Sequence, residues 1–293
     1  MKAKNSAKEL DQFYTREDIA EKLVEVTAQK VSEIYGVDPD TMTYLEPSAG
    51  TGAFLRGLSN QGLEGIGYDI DPGADDIHTA DFLNDILDVP ERDRIVVIGN
   101  PPFGKRARLA LDFIERSFEY SDTVAFILPL QLTRYLTQKR IRENARLIYS
   151  DVLDPDIFVH DGSGYSVRCV FQVWTLKDTD HSDIRIRTAP PTNHPDFEAA
   201  IYNCTEQAEK YFHQSWDFAI LRQGWGPFIP VELSDYTSLS RKNQWMFFRS
   251  KNKSVIDTLK SLNYESLAEG NTSVRGFGKA DVVAAYTTAT RSV

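Results

Sequence analysis

An unbroken apolar run that stops on two prolines does most to limit the folds open to this chain. Val96-Val97-Ile98-Gly99 carries no polar side chain and leads straight into Asn100-Pro101-Pro102-Phe103-Gly104. A short run apolar on both faces reads as a strand buried inside a parallel sheet. The prolines fix φ and bias Asn100 away from the helical region, so the strand ends in a stiff turn. Asn100 offers a side-chain carbonyl, Pro101 a backbone carbonyl and Phe103 a flat apolar face. Two acceptors beside a flat face suit a planar exocyclic amine, whose lone pair is drawn into its ring until both N–H groups are hydrogen-bonded. A strand followed by Pro-Pro is also ordinary loop punctuation, so these residues alone do not decide the matter.

Upstream, Tyr44-Leu45-Glu46-Pro47-Ser48-Ala49-Gly50-Thr51-Gly52-Ala53-Phe54-Leu55 reads as an apolar strand, a glycine-bearing turn and the start of a helix. Gly50 and Gly52 permit a tight turn and close backbone approach at the carboxyl end of a strand, where open α/β sheets bind ligands. The spacing is not Gly-x-Gly-x-x-Gly, because Leu55 takes the third position, and no Gly-Lys-Ser/Thr is present. A ligand without phosphates fits this turn better, although a Gly-x-Gly turn by itself is as often structural. The next strand, Gly65 to Asp71, ends in the carboxylates of Asp69 and Asp71 about 20 residues on, where an acid can bind a ribose diol. Thr79-Ala80-Asp81-Phe82-Leu83 then presents an acceptor and an aromatic edge. A single acid at a strand end is usually a cap; three in register before Asn100 are harder to explain that way.

In this order the residues resemble class I S-adenosylmethionine-dependent methyltransferases, specifically the gamma-type adenine-N6 DNA methyltransferases. Asp11-Gln12-Phe13-Tyr14-Thr15, followed by a helix from Ile19 to Val24, is similar to that group's Gln-Phe-Tyr-Thr opening. Thr15 also reads as a helix N-cap with Asp18 three residues on. The chain varies from the pattern at Glu46-Pro47-Ser48-Ala49-Gly50-Thr51-Gly52, where many relatives have Asp-Pro-x-Cys/Ala-Gly-Ser-Gly, and at Phe103, where Tyr is also common. The resemblance covers residues 9 to 178. It implies S-adenosylmethionine bound by Phe13, Tyr14, Thr15, Glu46, Pro47, Ser48, Gly50, Gly52, Asp69, Ile70, Asp81, Phe82 and Asn100. It further implies a catalytic Asn100-Pro101-Pro102-Phe103 acting on an adenine flipped out of double-stranded DNA, and aromatic walls for that base at Phe158 and Tyr165 unless those rings merely pack under a loop. A cognate restriction endonuclease is a possible partner. Adenine-N6 methylation of structured RNA, N5-methylation of a protein glutamine and a silent nucleic-acid-binding subunit remain as alternatives.

Composition sets outer limits. Of 293 residues, 41% are hydrophobic and 26% charged, an ordinary globular balance with no run long enough for a membrane span. The start, Met1-Lys2-Ala3-Lys4-Asn5-Ser6, lacks a signal peptide's apolar core. Two cysteines, Cys169 and Cys204, are too few for a disulfide framework or a zinc site and sit in no nucleophile motif, so a reducing cytoplasm, no metal and no covalent-cysteine chemistry are expected. The net charge of −10 is unusual for a nucleic-acid enzyme, whose affinity normally comes from phosphate contacts. It divides as −11 over residues 1–100, +4 over 101–150, −8 over 151–235 and +5 over 236–293. Positive charge thus falls just after the Asn-Pro-Pro-Phe turn, including Lys105 and Arg106, and at the C-terminal end.

The remaining pattern predicts helices over Leu109–Tyr120 and Arg134–Asn144 and strands over Thr123–Pro129, Leu147–Leu153 and Val167–Leu176. The last two are joined closely enough for an antiparallel return. The expected fold is α/β: a Rossmann-like, seven-stranded methyltransferase sheet, mostly parallel with the last strand antiparallel, followed by a smaller α+β recognition region. The expected division is a catalytic domain over 1–178, with an N-terminal cofactor motif at 11–24, a linker over 179–205 and a target-recognition region over 206–293. That last region shows β-like runs at Phe218–Gln223 and Gln244–Arg249 and one helix over Ser254–Leu262. Arg241, Lys242 and Asn243 are its candidate substrate contacts, since such residues bind phosphates and read base edges. A lid or dimerisation domain is the plainer reading of the same stretch.

Overall fold

The computed structural model describes residues 14–160, 163–165, 167–232, 239–270 and 274–291, without the side chains of 159–165. The chain divides into two compact units, residues 1–187 and 188–293.

The first unit is built on seven strands: β2 (Thr43–Glu46), β3 (Glu64–Asp69), β4 (His78–Thr79), β5 (Ile95–Gly99), β6 (Thr123–Pro129), β7 (Arg146–Val152) and β10 (Cys169–Thr175). They lie in the order β4-β3-β2-β5-β6-β10-β7. β4, β3, β2, β5 and β6 run parallel, and β10 inserts antiparallel between β6 and β7. This is the Rossmann-like sheet with one reversed strand that the sequence predicts. A second small sheet joins β1 (Tyr14–Thr15) to the hairpin β8 (Phe158–His160) and β9 (Ser163–Tyr165).

Strand alternation decides which helix covers which face. Val96 and Ile98 of β5, with Ala125 and Ile127 of β6, join one core with α1 (Glu17–Tyr35) and α2 (Ala53–Asn60). Val97 of β5, with Val124, Phe126 and Leu128 of β6, joins another with Leu111, Ile114 and Phe118 of α3 (Arg108–Tyr120). Both sheet faces are therefore buried, which is why these strands read as continuous apolar runs. Helix α1 buries Ala20, Leu23, Val24, Thr27 and Val31, one stripe at helical spacing, and ends on a left-handed Gly36.

Three expectations need correction here. Thr15 does not cap α1. The N-cap position is Arg16, which makes no side-chain cap, and its guanidinium binds Asp18 instead; Thr15 is a strand residue paired with Phe158. The helix predicted over Arg134–Asn144 is a single turn, α4 (Tyr135–Gln138). Beyond it, the buried Arg185 guanidinium donates to the carbonyls of Gln138, Ile141, Arg142 and Ala145 at 2.7–2.9 Å, and turns replace the helix. The linker expected over 179–205 is also narrower. Asp183 accepts from Leu147 N, and Ile184 N donates to Leu147 O, so residues to Arg187 are bonded into the first unit. At the far end of that stretch, Glu198–Tyr202 is strand β11 of the second unit.

The second unit is a four-stranded antiparallel sheet, β11-β14-β12-β13, with β12 (Phe218–Gln223), β13 (Val231–Glu232) and β14 (Gln244–Arg249). Among the described residues three α-helices accompany it, α5 (Lys253–Ser261), α6 (Tyr264–Ala268) and α7 (Lys279–Arg291), where one was expected. Its core is strongly aromatic: Phe218 stacks on Phe248 at 4.8 Å, and Phe212 meets Phe247 edge-on.

Candidate active site

A cleft of about 340 Å³ opens at the carboxyl ends of β2, β3 and β5, lined by residues from each motif. Tyr14, Thr15, Glu46, Pro47, Ser48, Gly50, Asp69, Ile70, Asp81, Phe82, Asn100 and Pro102 all reach it. Backbone pairing explains the convergence, because three parallel strands in register end together and their following turns share one edge.

The turn after β2 is held by its neighbours. Gly50 N donates to Asp69 Oδ2 at 2.7 Å, and Gly50 O accepts from Gly73 N at 2.8 Å. Gly50 has φ +52, and a Cβ there would lie 3.1 Å from the Tyr14 ring, so both conformation and space require glycine. Ser48 Oγ donates to Asn100 O at 3.1 Å, which ties this turn to the end of β5.

Glu46 is 2% exposed, and its Oε2 has no hydrogen-bond partner among the described residues. Burial, reinforced by nearby Asp69, holds its carboxyl well above the usual range. Gly99 makes room for it, since a Cβ there would sit 3.2 Å from Glu46 Cγ. A buried carboxyl oxygen without a partner in a cleft wall is a receptor for a cation or a donor. Asp69 accepts from Asp71 N on Oδ1 and Gly50 N on Oδ2. Each oxygen keeps a second lone pair for a ligand hydroxyl. Burial also raises the Asp69 pKa, with backbone hydrogen bonds opposing the shift. Asp81 shapes its own turn, accepting from Leu83 N and Asn84 Nδ2, while Phe82 is buried against Phe113 and Tyr120 and still reaches the cleft. The arrangement can take a cationic group at Glu46, vicinal hydroxyls at Asp69 and a flat ring near Phe82, with Asn100 lining the same cleft.

Several predicted site residues lie elsewhere. Gly52 is the left-handed residue before α2, and Pro101 is buried; neither lines the cleft. Phe103 is 9% exposed, and its ring meets Phe158 edge-on at 6.5 Å, so it offers no free face in this conformation. Phe158, 1% exposed, is core rather than a wall. Lys105 and Arg106 are exposed in the short turn before α3. Phe13 and the Tyr165 side chain lie outside the described residues. In the second unit, Arg241 is occupied by Glu209 Oε2 at 3.1 Å and by the Phe212 ring at 4.2 Å, whereas Lys242 and Asn243 are exposed. The cleft also uses residues the sequence reading missed: Leu109 and Phe113, four apart on α3, and Leu83 and Asn84 after Asp81. The i,i+4 spacing just after the Asn-Pro-Pro-Phe turn was the available signal for the first pair.

Among the described residues, no group of three or more His, Cys, Asp or Glu side chains is placed to hold a metal, and no helix is long and apolar enough to cross a membrane. No family model and no curated protein matches the chain. Solved structures similar to it include a Pyrococcus horikoshii protein provisionally described as an RNA methyltransferase, at 17% identity over 59% of this chain and 90% of that one, with a TM-score of 0.43. A Listeria monocytogenes protein provisionally described as a class I S-adenosylmethionine-dependent methyltransferase aligns at 18% identity over 60% and 64%, with a TM-score of 0.44. The Pyrococcus abyssi tRNA (uracil-54, C5)-methyltransferase, solved with S-adenosyl-L-homocysteine, aligns at 18% identity over 53% and 38%, with a TM-score of 0.33.

Proposed function

We propose that this protein transfers a methyl group from S-adenosylmethionine to the N6 amino group of adenine in DNA. The observation that carries the reading is the shared cleft, which Asn100 lines together with Glu46, Asp69, Asp81 and Phe82. The donor set fits the cofactor: Glu46 Oε2 is an orphaned acceptor for its ammonium group, Asp69 retains lone pairs for ribose hydroxyls, and Phe82 with Asp81 flanks a flat ring. When bound, S-adenosylmethionine supplies a methyl group on a positively charged sulfur.

The chain's own contribution is positioning. A target adenine leaves the base stack at a cost of a few kcal/mol. Asn100 Oδ1 accepts from one amino hydrogen and Pro101 O, which lies behind the cleft lining in the free protein, accepts from the other once the base has entered, which turns the nitrogen lone pair outward and stabilises positive charge developing there. Pro101 and Pro102 keep these acceptors from relaxing, and Ser48 fixes the Asn100 carbonyl. Phe103, buried against Phe158, supports the turn from behind unless substrate draws it out.

Replacing Asn100 by Ala tests this directly. Turnover falls about a hundredfold or more, while cofactor affinity stays within a few-fold. A variant with wild-type turnover overturns the assignment. Structured RNA is the second substrate class, favoured by Phe103 at the end of the Asn-Pro-Pro-Phe turn and by the acidic balance. Residues 1–187 carry the whole net −10, and residues 188–293 hold eleven basic and eleven acidic residues.

A further inference from the structure

Among the described residues, the second unit leaves one large aromatic side chain outside its packing. Of the four tryptophans, Trp174, Trp216 and Trp245 are buried, whereas Trp225 is 71% exposed. It follows β12 in a segment fixed on both sides. Gly224 N donates to Arg275 O at 3.0 Å, Phe228 N donates to Glu265 Oε1 at 2.9 Å, and the Phe228 ring is buried beneath the Arg275 guanidinium. The backbone around the indole is therefore ordered before any partner arrives, which lowers the entropic cost of binding.

The sheet register says what lies beside it. Gln223, the last residue of β12, is opposite Gln244, the first of β14. The turn Ser240–Asn243 therefore leaves the same end of the sheet as Trp225. On that turn Lys242 and Asn243 are exposed, and Lys242 has no ion-pair partner among the described residues. Four other basic side chains of the unit are ion-paired, Arg241 with Glu209, Arg249 with Glu198, Lys260 with Glu232 and Arg275 with Glu265 and Glu269, while the exposed Lys251 and Lys253 follow the opposite end of β14. The side-chain amides of Gln223 and Asn243 make no hydrogen bond among the described residues. One sheet end thus presents a flat apolar ring, a cation and two planar amides. Against a duplex, whose base faces are already stacked, an exposed apolar ring can wedge at a base step or meet a thymine methyl, a cation contacts phosphate, and Asn or Gln amides pair with the adenine edge.

We propose that Trp225 anchors a duplex-DNA contact surface completed by Lys242, Asn243 and Gln223, with Arg241 excluded from it. The inference rests on the DNA reading above. The single exposed tryptophan makes it measurable, because iodide quenches only accessible indole. In the full chain, a pool of random-sequence duplexes at fixed ionic strength should remove most of the iodide-quenchable tryptophan fluorescence. W225A should weaken duplex binding about ten- to hundredfold without lowering the melting temperature, and W225F should recover most of the affinity. If wild-type protein methylates the duplex while Trp225 stays as quenchable as in free protein, the inference is wrong and the functional reading stands. If label enters only structured RNA, and RNA rather than duplex protects Trp225, both are overturned.

Discussion

Gly50→Ala probes the cleft where its walls touch. Two costs can be separated. Alanine at φ +52 incurs the left-handed penalty of about 1 kcal/mol, and its Cβ at 3.1 and 3.2 Å from two Tyr14 ring carbons forces that ring off its rotamer for about 1 kcal/mol more. The total of about 2 kcal/mol should lower the melting temperature by about 4–8 °C. Because Tyr14 and Gly50 both line the cleft, a displaced ring intrudes on the ligand's space, and returning it on binding should weaken S-adenosylmethionine about fivefold to tenfold. Gly62→Ala is the control. Gly62 has φ +72 with nothing within 4 Å of a Cβ, so it carries the backbone penalty alone, about 1 kcal/mol, and should leave affinity unchanged. Differential scanning fluorimetry and titration calorimetry on both variants give the comparison. Equal losses of stability with no loss of affinity in G50A would refute the contact between Tyr14 and the turn as a wall of the cofactor site.

Other perturbations test neighbouring steps. Glu46 titrates above its usual range when folded, so the folded state holds a proton the unfolded chain has released. Its contribution to stability is present at low pH and is lost as pH rises from about 4.5 through the folded value. E46Q should therefore melt higher than wild type at pH 8, the gap closing toward pH 4, and should bind S-adenosylmethionine about tenfold more weakly; coincident melting curves at every pH would contradict the burial argument. R185M leaves the carbonyls of Gln138, Ile141, Arg142 and Ala145 without their donor and should cost about 3–5 kcal/mol, read as a loss of several degrees in thermal melts. A variant melting with wild type would show that this guanidinium does not hold the α4–β7 connection.

How legible each part was depends on how local its cause is. Ile95–Gly99 and Thr123–Pro129 are buried on both faces, so their apolar runs gave the strands directly, and β12 and β14 likewise matched their runs to the residue. The acids at Glu46, Asp69 and Asp81 meet in one cleft because motif order and strand ends coincide. What failed was non-local. The Arg134–Asn144 periodicity was overridden by Arg185, more than forty residues away in sequence. Lys-Ala-Asp-Val-Val-Ala-Ala-Tyr-Thr-Thr-Ala-Thr-Arg forms α7 although its Val and Thr residues are poor helix formers, its buried stripe being only Val282, Val283 and Tyr286. Phe103 looked like an open aromatic face because sequence cannot show Phe158 lying against it. The ion pair at Arg241 is not legible in the sequence because its partner, Glu209, is 32 residues earlier.

The most direct measurement is the identity of the labelled nucleoside. Purified protein is incubated with tritiated S-adenosylmethionine and, in parallel, unmethylated duplex DNA, structured RNA and a protein extract, and each polymer is digested and separated. The account predicts label in N6-methyldeoxyadenosine from the duplex. Label confined to RNA or protein, or to any other base of DNA, would contradict it.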